Sequence, residues 1–178
     1  MKKVLKEIGV GEIFNIAGVD FIKFGEKDGN TIAVAKEIWC DSIFGNNNNF
    51  AKSKILDKLN TEFLPKIEKE IGAENIVEHE VDLLSLDGDN KWGKINCKVS
   101  IPTFDFCCAN VKIFDKYKIN KWFWLATPGT TEKHCGNDYW VSCVSPDGNI
   151  YGINSRNNCS GVRPFIIFVS SIIVSCGE

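Results

Sequence analysis

The second quarter of the chain carries hydrophobic residues at intervals of three and four positions. This period predicts an amphipathic helix from Ser53 to Ile71, with Ser53 as its N-cap and Gly72 as the residue that stops it. Pro65 lies inside the pattern and removes one backbone hydrogen bond, so either the helix is kinked near Asn60-Thr61 or two shorter helices form. The hydrophobic positions are Ile55, Leu56, Leu59, Phe63, Leu64, Ile67 and Ile71.

Short runs rich in Phe, Ile and Val lie on both sides of this helix and predict β-strands. The residues Lys27-Asp28-Gly29-Asn30 predict the turn of a β-hairpin, and Ser145-Pro146-Asp147-Gly148 predicts a second tight turn. Thr103 is expected to cap a short helix that reaches about Ile113. The predicted strands are Glu12 to Ile16, Val19 to Phe24, Thr31 to Ala35, Trp122 to Ala126, Tyr139 to Val144, Asn149 to Ile153, and one central strand from Val162 to Val174. Strands that flank a helical middle indicate an α+β protein, and we expect one domain over residues 1–178.

Composition and charge narrow the class of protein. The chain has 178 residues, of which 44% are hydrophobic and 25% charged, and this balance is typical of a globular domain. The net charge of -2 argues against a dedicated nucleic-acid partner. Charge interrupts the apolar start at Lys6 and Glu7, so we expect no export signal and a cytoplasmic location as synthesised. The most apolar stretch, Phe165 to Val174, is too short to span a membrane and predicts a buried strand.

Eight cysteines raise the question of metal, disulfide or thiol chemistry. No two of them form a C-x-x-C pair, and His79 and His134 are the only histidines, so we expect no metal site and no cofactor. Without an export signal, most of the cysteines are interpreted as small buried hydrophobic residues with few or no disulfides. His134 next to Cys135 is the only adjacent imidazole and thiol, and sequence neighbours rarely face each other. We therefore predict no catalytic residue.

Two further clusters have both a functional and a structural interpretation. Asp82, Asp87 and Asp89 lie in one acidic loop, which lacks the spacing of a calcium-binding EF-hand and is interpreted as a solvated turn. The run Trp122-Phe123-Trp124 could stack on sugars or bases. Because successive strand residues point to opposite faces, at least one of these rings is expected in the core, and we favour core packing for the run as a whole.

The last third of the chain resembles a known domain family. The stretch Trp122-Phe123-Trp124-Leu125-Ala126-Thr127-Pro128-Gly129, then Val141 to Gly148, then Gly161-Val162-Arg163-Pro164-Phe165, resembles the WWLRSPG…GVRPA signature of an uncharacterised family. That family is common in low-GC bacteria, their prophages and their phages. Gly11-Glu12, the strands from Phe14 to Phe24 and the segment from Ser53 to Leu64 are also similar to it. Ala126 stands where the family usually has arginine.

This resemblance implies a fold and a general role. The Gly-Val-Arg-Pro ending is similar to the Gly-Phe-Arg ending of C-type-lectin-like domains, including the formylglycine-generating enzymes, which implies a C-type-lectin-like domain with a small twisted antiparallel sheet and one or two helices. The implied role of Arg163 is structural, as a buried guanidinium that binds backbone carbonyls and carboxylates. The enzyme branch carries two copper-binding cysteines close together before that ending, whereas Cys143 and Cys159 are separated by a turn and a strand. The pair does not correspond, so the binding branch is the better analogy.

The expected function is non-enzymatic recognition of a protein or glycan by a module of prophage or mobile-element origin, and a phage particle is its second expected location. The alternative is a formylglycine-generating or other cysteine-based enzyme. If the module binds a ligand, Trp140 and Arg156 are expected to share one exposed concave surface; the alternative is that Trp140 fills the core and Asn157-Asn158 only form a turn. The candidate ligand-binding residues are His134, Asn137, Asp138, Tyr139, Trp140, Asn154, Arg156, Asn157 and Asn158.

Overall fold

A computed structural model describes residues 1–156 and 159–176. Fifteen strands and five α-helices occur in these ranges. The strands are β1 (Lys2–Val4), β2 (Ile13–Ile16), β3 (Val19–Lys27), β4 (Asn30–Ala35), β5 (Cys40–Ser42), β6 (Ile76–Val77), β7 (His79–Asp82), β8 (Lys94–Cys97), β9 (Val99–Ser100), β10 (Phe123–Pro128), β11 (Trp140–Val144), β12 (Ile150–Asn154), β13 (Ser160–Val162), β14 (Phe165–Val169) and β15 (Ile173–Ser175). The helices are α1 (Lys54–Lys58), α2 (Leu64–Ile71), α3 (Phe104–Ala109), α4 (Val111–Lys116) and α5 (Glu132–Cys135).

The strands form three sheets in the described part of the chain. The largest has eight strands in the order β1-β15-β2-β3-β4-β14-β6, with β9 also paired to β14. The second has the order β12-β11-β10-β13-β5, and β7 pairs with β8 alone. The prediction of an α+β protein with antiparallel sheets is confirmed, apart from one parallel pair between β10 and β13. The expectation of a single small sheet is wrong.

The predicted hairpin is confirmed, whereas the predicted long strand from Val162 to Val174 is wrong. β3 and β4 pair antiparallel across Asp28 and Gly29, both of which have positive φ. The apolar run divides instead into β13, β14 and β15, which lie at three different places in the sheets. Pro164 has no amide hydrogen for a sheet and lies between β13 and β14, where the chain leaves the second sheet for the first. Each of the three has partners on both sides: β13 lies between β10 and β5, β15 between β1 and β2, and β14 pairs with β4, β6 and β9.

The helical segment forms as the sequence predicts. The Ser53 hydroxyl accepts the amide of Leu56 at 3.0 Å and caps α1. Residues Leu59–Phe63 form a π turn between α1 and α2, so the expected distortion at Asn60-Thr61 is present within one continuous segment. Pro65 follows directly in the first turn of α2, where its missing amide hydrogen costs little because the wide turn has already shifted the hydrogen-bond pattern.

Thr103 also caps a helix, by accepting the amide of Phe106 at 3.3 Å. The helix ends sooner than expected, at Ala109, because Asn110 leaves the helical region. A second short helix, α4, then carries Ile113 and ends at Lys116.

One core joins the two main sheets and the helical segment. Trp124 from the second sheet is fully buried, and its indole donates to the Ser42 carbonyl at 2.8 Å. Phe21 and Phe168 from the large sheet contact edge to face at 5.2 Å in the same core. Phe123 is also buried, while Trp122 is 36% exposed, so core packing is confirmed for two rings of the predicted aromatic run.

The cysteines do not follow the interpretation that most of them are buried. Cys107 and Cys143 are buried, and the other six are partly or fully exposed. All eight, which lie within the described residues, are free thiols. None of the described helices has the length and apolar character needed to cross a membrane.

Candidate functional site

The predicted ligand loops contain one ordered pair, Tyr139 with Arg156. The guanidinium carbon of Arg156 lies 3.7 Å from the centre of the Tyr139 ring. Its Nε donates to the Asn46 carbonyl at 2.6 Å, and its amide is held by Asn154 Oδ1 at 3.0 Å. The Tyr139 ring and the Asn46 carbonyl together hold the exposed Arg156 guanidinium in place.

Trp140 does not join this pair. It opens β11 and is 42% exposed, so the alternative in which it fills the core is wrong. The Tyr139 carbonyl accepts the amide of Ser155, which extends the β11–β12 pairing back to Tyr139. Neighbours on an extended strand point to opposite faces, so Trp140 projects away from the Tyr139–Arg156 stack. The expected single surface shared by Trp140 and Arg156 is therefore not formed.

The remaining candidates lie around α5. His134 is exposed on that helix, and the Asn137 side chain accepts the amide of Tyr139 at 3.2 Å, as a local turn residue does. Asp138 accepts the Glu132 amide at 2.8 Å and pairs with Lys91 at 2.6 Å. Asn157 and Asn158 lie outside the described residues. Ligand binding by these loops stays a prediction.

The acidic loop before Asn90 is more than a solvated turn. Asp87 accepts the backbone amide of Thr131 at 2.8 Å and its hydroxyl at 3.2 Å, and Asp89 accepts the same hydroxyl at 3.0 Å. Although its partial burial acts in the opposite direction, hydrogen bonds from Ser85 and Thr131 lower the pKa of Asp87 to about 2. These carboxylates tie the loop to the segment after β10. Within the described residues, no three acidic, histidine or cysteine side chains gather as a metal site.

This loop and the strands beside it enclose a pocket that sequence analysis did not find. Its volume is about 550 Å³. β7, β9 and β14 form the floor and α3 forms one side. Ile32, Phe106, Phe165 and Ile167 supply apolar walls, and the exposed leucines Leu84 and Leu86 lie at the mouth.

A histidine and a serine form the buried polar pair of this pocket. Ser100 in β9 lies opposite Phe165 of β14, and the His79 ring is 4.9 Å from the Phe165 ring. His79 Nε2 and Ser100 Oγ are 2.9 Å apart, and both residues are buried. The other ring nitrogen, Nδ1, is buried and has no hydrogen-bond partner in the described part of the protein.

The environment keeps the imidazole uncharged at neutral pH. Burial lowers the pKa of His79 to about 4; a polar interaction with the Val77 backbone acts in the opposite direction, and the nearby cation of Lys27 acts in the same direction as burial. A neutral imidazole has one donor and one acceptor nitrogen, so the pair with Ser100 leaves one polar nitrogen to be satisfied. A ligand with a single polar group and an apolar body matches these walls and this nitrogen.

The position of His79 in β7 explains why the sequence around it contains little sign of a binding site. Residues 79 and 81 alternate with exposed residues 80 and 82, the ordinary pattern of a half-buried strand. Ser100 is 21 residues away from His79 in the sequence. The two residues become neighbours only because the fold brings β7 and β9 next to β14. A lone histidine on the buried side of a strand is the one signal that the sequence offered.

Wherever the environment shifts the pKa of a thiol among the described residues, the net shift is upward, despite nearby cations at Cys40 and Cys107. Burial raises the pKa values of Cys97, Cys107 and Cys143 to about 12, which favours the less nucleophilic protonated form. The Cys135 sulfur lies 2.9 Å from the Thr130 hydroxyl and is also near the carbonyls of Thr131 and Asn137. His79 Nε2 is 2.9 Å from the Ser100 hydroxyl, and His79 lies opposite Cys97 in the pairing of β7 with β8.

Comparisons of the chain with protein-family models, curated proteins and solved structures give no match.

Proposed function

We propose that this protein is a non-enzymatic recognition module that binds a protein partner, one apolar side chain of which enters the His79 pocket. The observation that supports this best is the combination of apolar walls with the buried polar pair His79 and Ser100. Pockets of this composition bind apolar groups and use few polar atoms to orient them. A backbone amide or carbonyl of the partner would satisfy Nδ1 of His79.

The mouth of the pocket favours a protein over a glycan. Leu84 and Leu86 are 47% and 50% exposed beside the opening. Contact with a partner would remove these side chains from water, which is a favourable use of exposed apolar surface. The lining also includes the charged residues Lys27, Glu80, Asp82 and Asp105, so the preference for a protein over a glycan rests on the two exposed leucines.

Recognition is also better supported than catalysis. A serine nucleophile needs a base that is itself oriented by a third group, and His79 Nδ1 has no such partner among the described residues. The alternative of a cysteine-based or formylglycine-generating enzyme gains support only from the number of cysteines. The raised pKa values of Cys97, Cys107 and Cys143 argue against a nucleophilic role for these three thiols.

We further propose a C-type-lectin-like domain of prophage or mobile-element origin. The family-like residues Trp124, Gly161 and Arg163 are all buried where β10 and β13 meet, as a structural signature requires. Neighbouring genes test the origin: tail or lysis genes support it, and a sulfatase gene would instead support the enzyme branch.

The binding proposal can be tested by NMR with the full chain and three small probes. N-acetyl-leucinamide and N-acetyl-phenylalaninamide represent protein side chains, and methyl α-glucoside represents a sugar. We expect the amides to cause saturable shifts at His79 and Ser100. Leu84→Asp should weaken these shifts, while Ile173→Asp, which alters an exposed apolar residue in β15, should leave them unchanged.

Two results would overturn the proposal. Saturable shifts with the glucoside alone would assign a glycan, and no saturable shift with any probe would remove the pocket as a binding site. Hydrolysis of p-nitrophenyl acetate that is lost in Ser100→Ala would replace recognition by serine catalysis.

A further inference from the structure

A second cavity contains a buried cation without an anionic partner. Arg163 is 1% exposed, and its guanidinium carbon lies 5.2 Å and 5.4 Å from the ring centres of Phe114 and Phe123. Nε donates to the Ala35 carbonyl at 2.7 Å and Nη2 to the Lys36 carbonyl at 3.0 Å. The expected carbonyl contacts are confirmed, whereas the expected carboxylate contact is wrong for the described residues: none of their ion pairs includes Arg163.

Part of the guanidinium remains available for a ligand. An arginine has five N–H donors, and the described contacts engage Nε and Nη2. Nη1 has no hydrogen-bond acceptor within residues 1–156 and 159–176. Burial lowers the pKa of Arg163 to about 10, so the group still carries its charge at neutral pH.

The guanidinium lines a cavity of about 230 Å³ between α4 and the β11–β12 turn. Phe114, Phe123, Val144 and Ile150 supply its apolar lining. This volume is about that of seven water molecules, which is enough for a ligand with one small ring.

The described charges that line the cavity do not compensate Arg163, although the Glu37 carboxylate, outside the lining, acts on it at longer range and raises its pKa. Asp115 and Lys118 are the other charged residues among the described lining, and they pair with each other at 3.6 Å. Lys118 also donates to the Asp147 carbonyl at 3.4 Å. The described lining therefore has a net charge of one positive unit, and the buried cation that carries it is Arg163.

We propose that this cavity is a binding site for a small organic carboxylate, whose carboxylate pairs with Arg163 and whose apolar body lies between Phe123 and Val144. The guanidinium fork matches a carboxylate in shape and charge. A buried charge is costly until an opposite charge pairs with it, so ligand binding relieves a cost already present in the fold. The ring-lined walls favour an aromatic or short aliphatic body over an inorganic anion.

The test compares benzoate with benzamide, which has the same shape and no charge. We expect calorimetry or NMR titration of the full chain to give a benzoate affinity at least about tenfold higher, the ratio typical of one charge-assisted hydrogen bond. Val111 lines the cavity on α4 and is 53% exposed, so Val111→Trp should block benzoate with little effect on folding. Val111→Ala is the matched control and should retain binding.

Arg163→Met, if it folds, should bind benzoate and benzamide equally; if it does not fold, the two Val111 variants decide the question. Leu84→Asp, at the mouth of the other pocket, should leave benzoate binding unchanged, which separates this proposal from the proposed function. Equal affinities of the wild type for benzoate and benzamide would overturn the carboxylate site. Inorganic phosphate that competes as well as benzoate would also overturn it, since that result indicates a general anion site.

Discussion

Mild acidification, from neutral pH to about pH 4, should destabilise this protein through His79. The buried imidazole has a pKa of about 4, whereas the ordinary value is 6.5. Above the ordinary value both the folded and the unfolded chain hold His79 neutral, so its protonation does not affect stability. As the pH falls below the ordinary value, His79 binds a proton in the unfolded chain but stays neutral in the folded chain until about pH 4. Stability is therefore lost between these two pH values.

The size of the effect follows from the same two values. Each pH unit between them changes the free energy of unfolding by about 1.4 kcal/mol, so the full loss is about 3 kcal/mol. Most of it is reached early: going from about pH 7 to about pH 5 should cost about 2 kcal/mol from His79 alone. This is a large part of the stability of an ordinary domain.

Urea unfolding followed by tryptophan fluorescence at several pH values measures this loss. His79→Gln keeps a polar group beside Ser100 and removes the titration, so its free energy of unfolding should depend on pH less than that of the wild type by about 2 kcal/mol over this range. His134→Gln changes the exposed histidine on α5 and should keep the wild-type dependence. Equal pH dependence in the wild type and His79→Gln would refute the reasoning, as would an NMR titration that places the folded His79 pKa above 6.

Three other predictions concern stability and access. Ser53→Ala removes the N-cap of α1 and should lower the free energy of unfolding by about 1 kcal/mol, as measured by urea denaturation; an unchanged midpoint would contradict this. Asp87→Ala releases Thr131, so hydrogen exchange of the Thr131 amide should become faster. It should also reduce the wild type's stability loss between about pH 4 and pH 2, because the lowered Asp87 pKa stabilises the fold only above that window; exchange and acid stability equal to the wild type would count against the role of Asp87. Thiol titration of the native protein should show fast reaction at the exposed cysteines, Cys108, Cys135 and Cys159, and slow reaction at the buried ones, Cys107 and Cys143. After unfolding, eight free thiols should react, whereas four or fewer would indicate disulfides.

The sequence alone determined those elements whose cause is local. The helix cap at Ser53, the distortion near Asn60-Thr61 and the hairpin turn at Asp28-Gly29 depend on residues a few positions apart. Their signals are side-chain oxygens, a missing amide hydrogen and permissive φ angles, all of which act within one turn of the chain. The positions of Trp124 and Phe123 also followed from their size and apolar character.

Only the tertiary structure decided where the long apolar run divides and which polar groups become neighbours. A continuous hydrophobic stretch has the same pattern whether it forms one strand or three, so the sequence could not show that Pro164 marks the change of sheet. The His79–Ser100 pair spans 21 residues, and the Arg163 cation reaches carbonyls more than 120 positions away. The carboxylate expected beside Arg163 is missing from the described contacts, and Trp140 turns away from Arg156, because strand pairing and face alternation set these neighbours after the chain has folded.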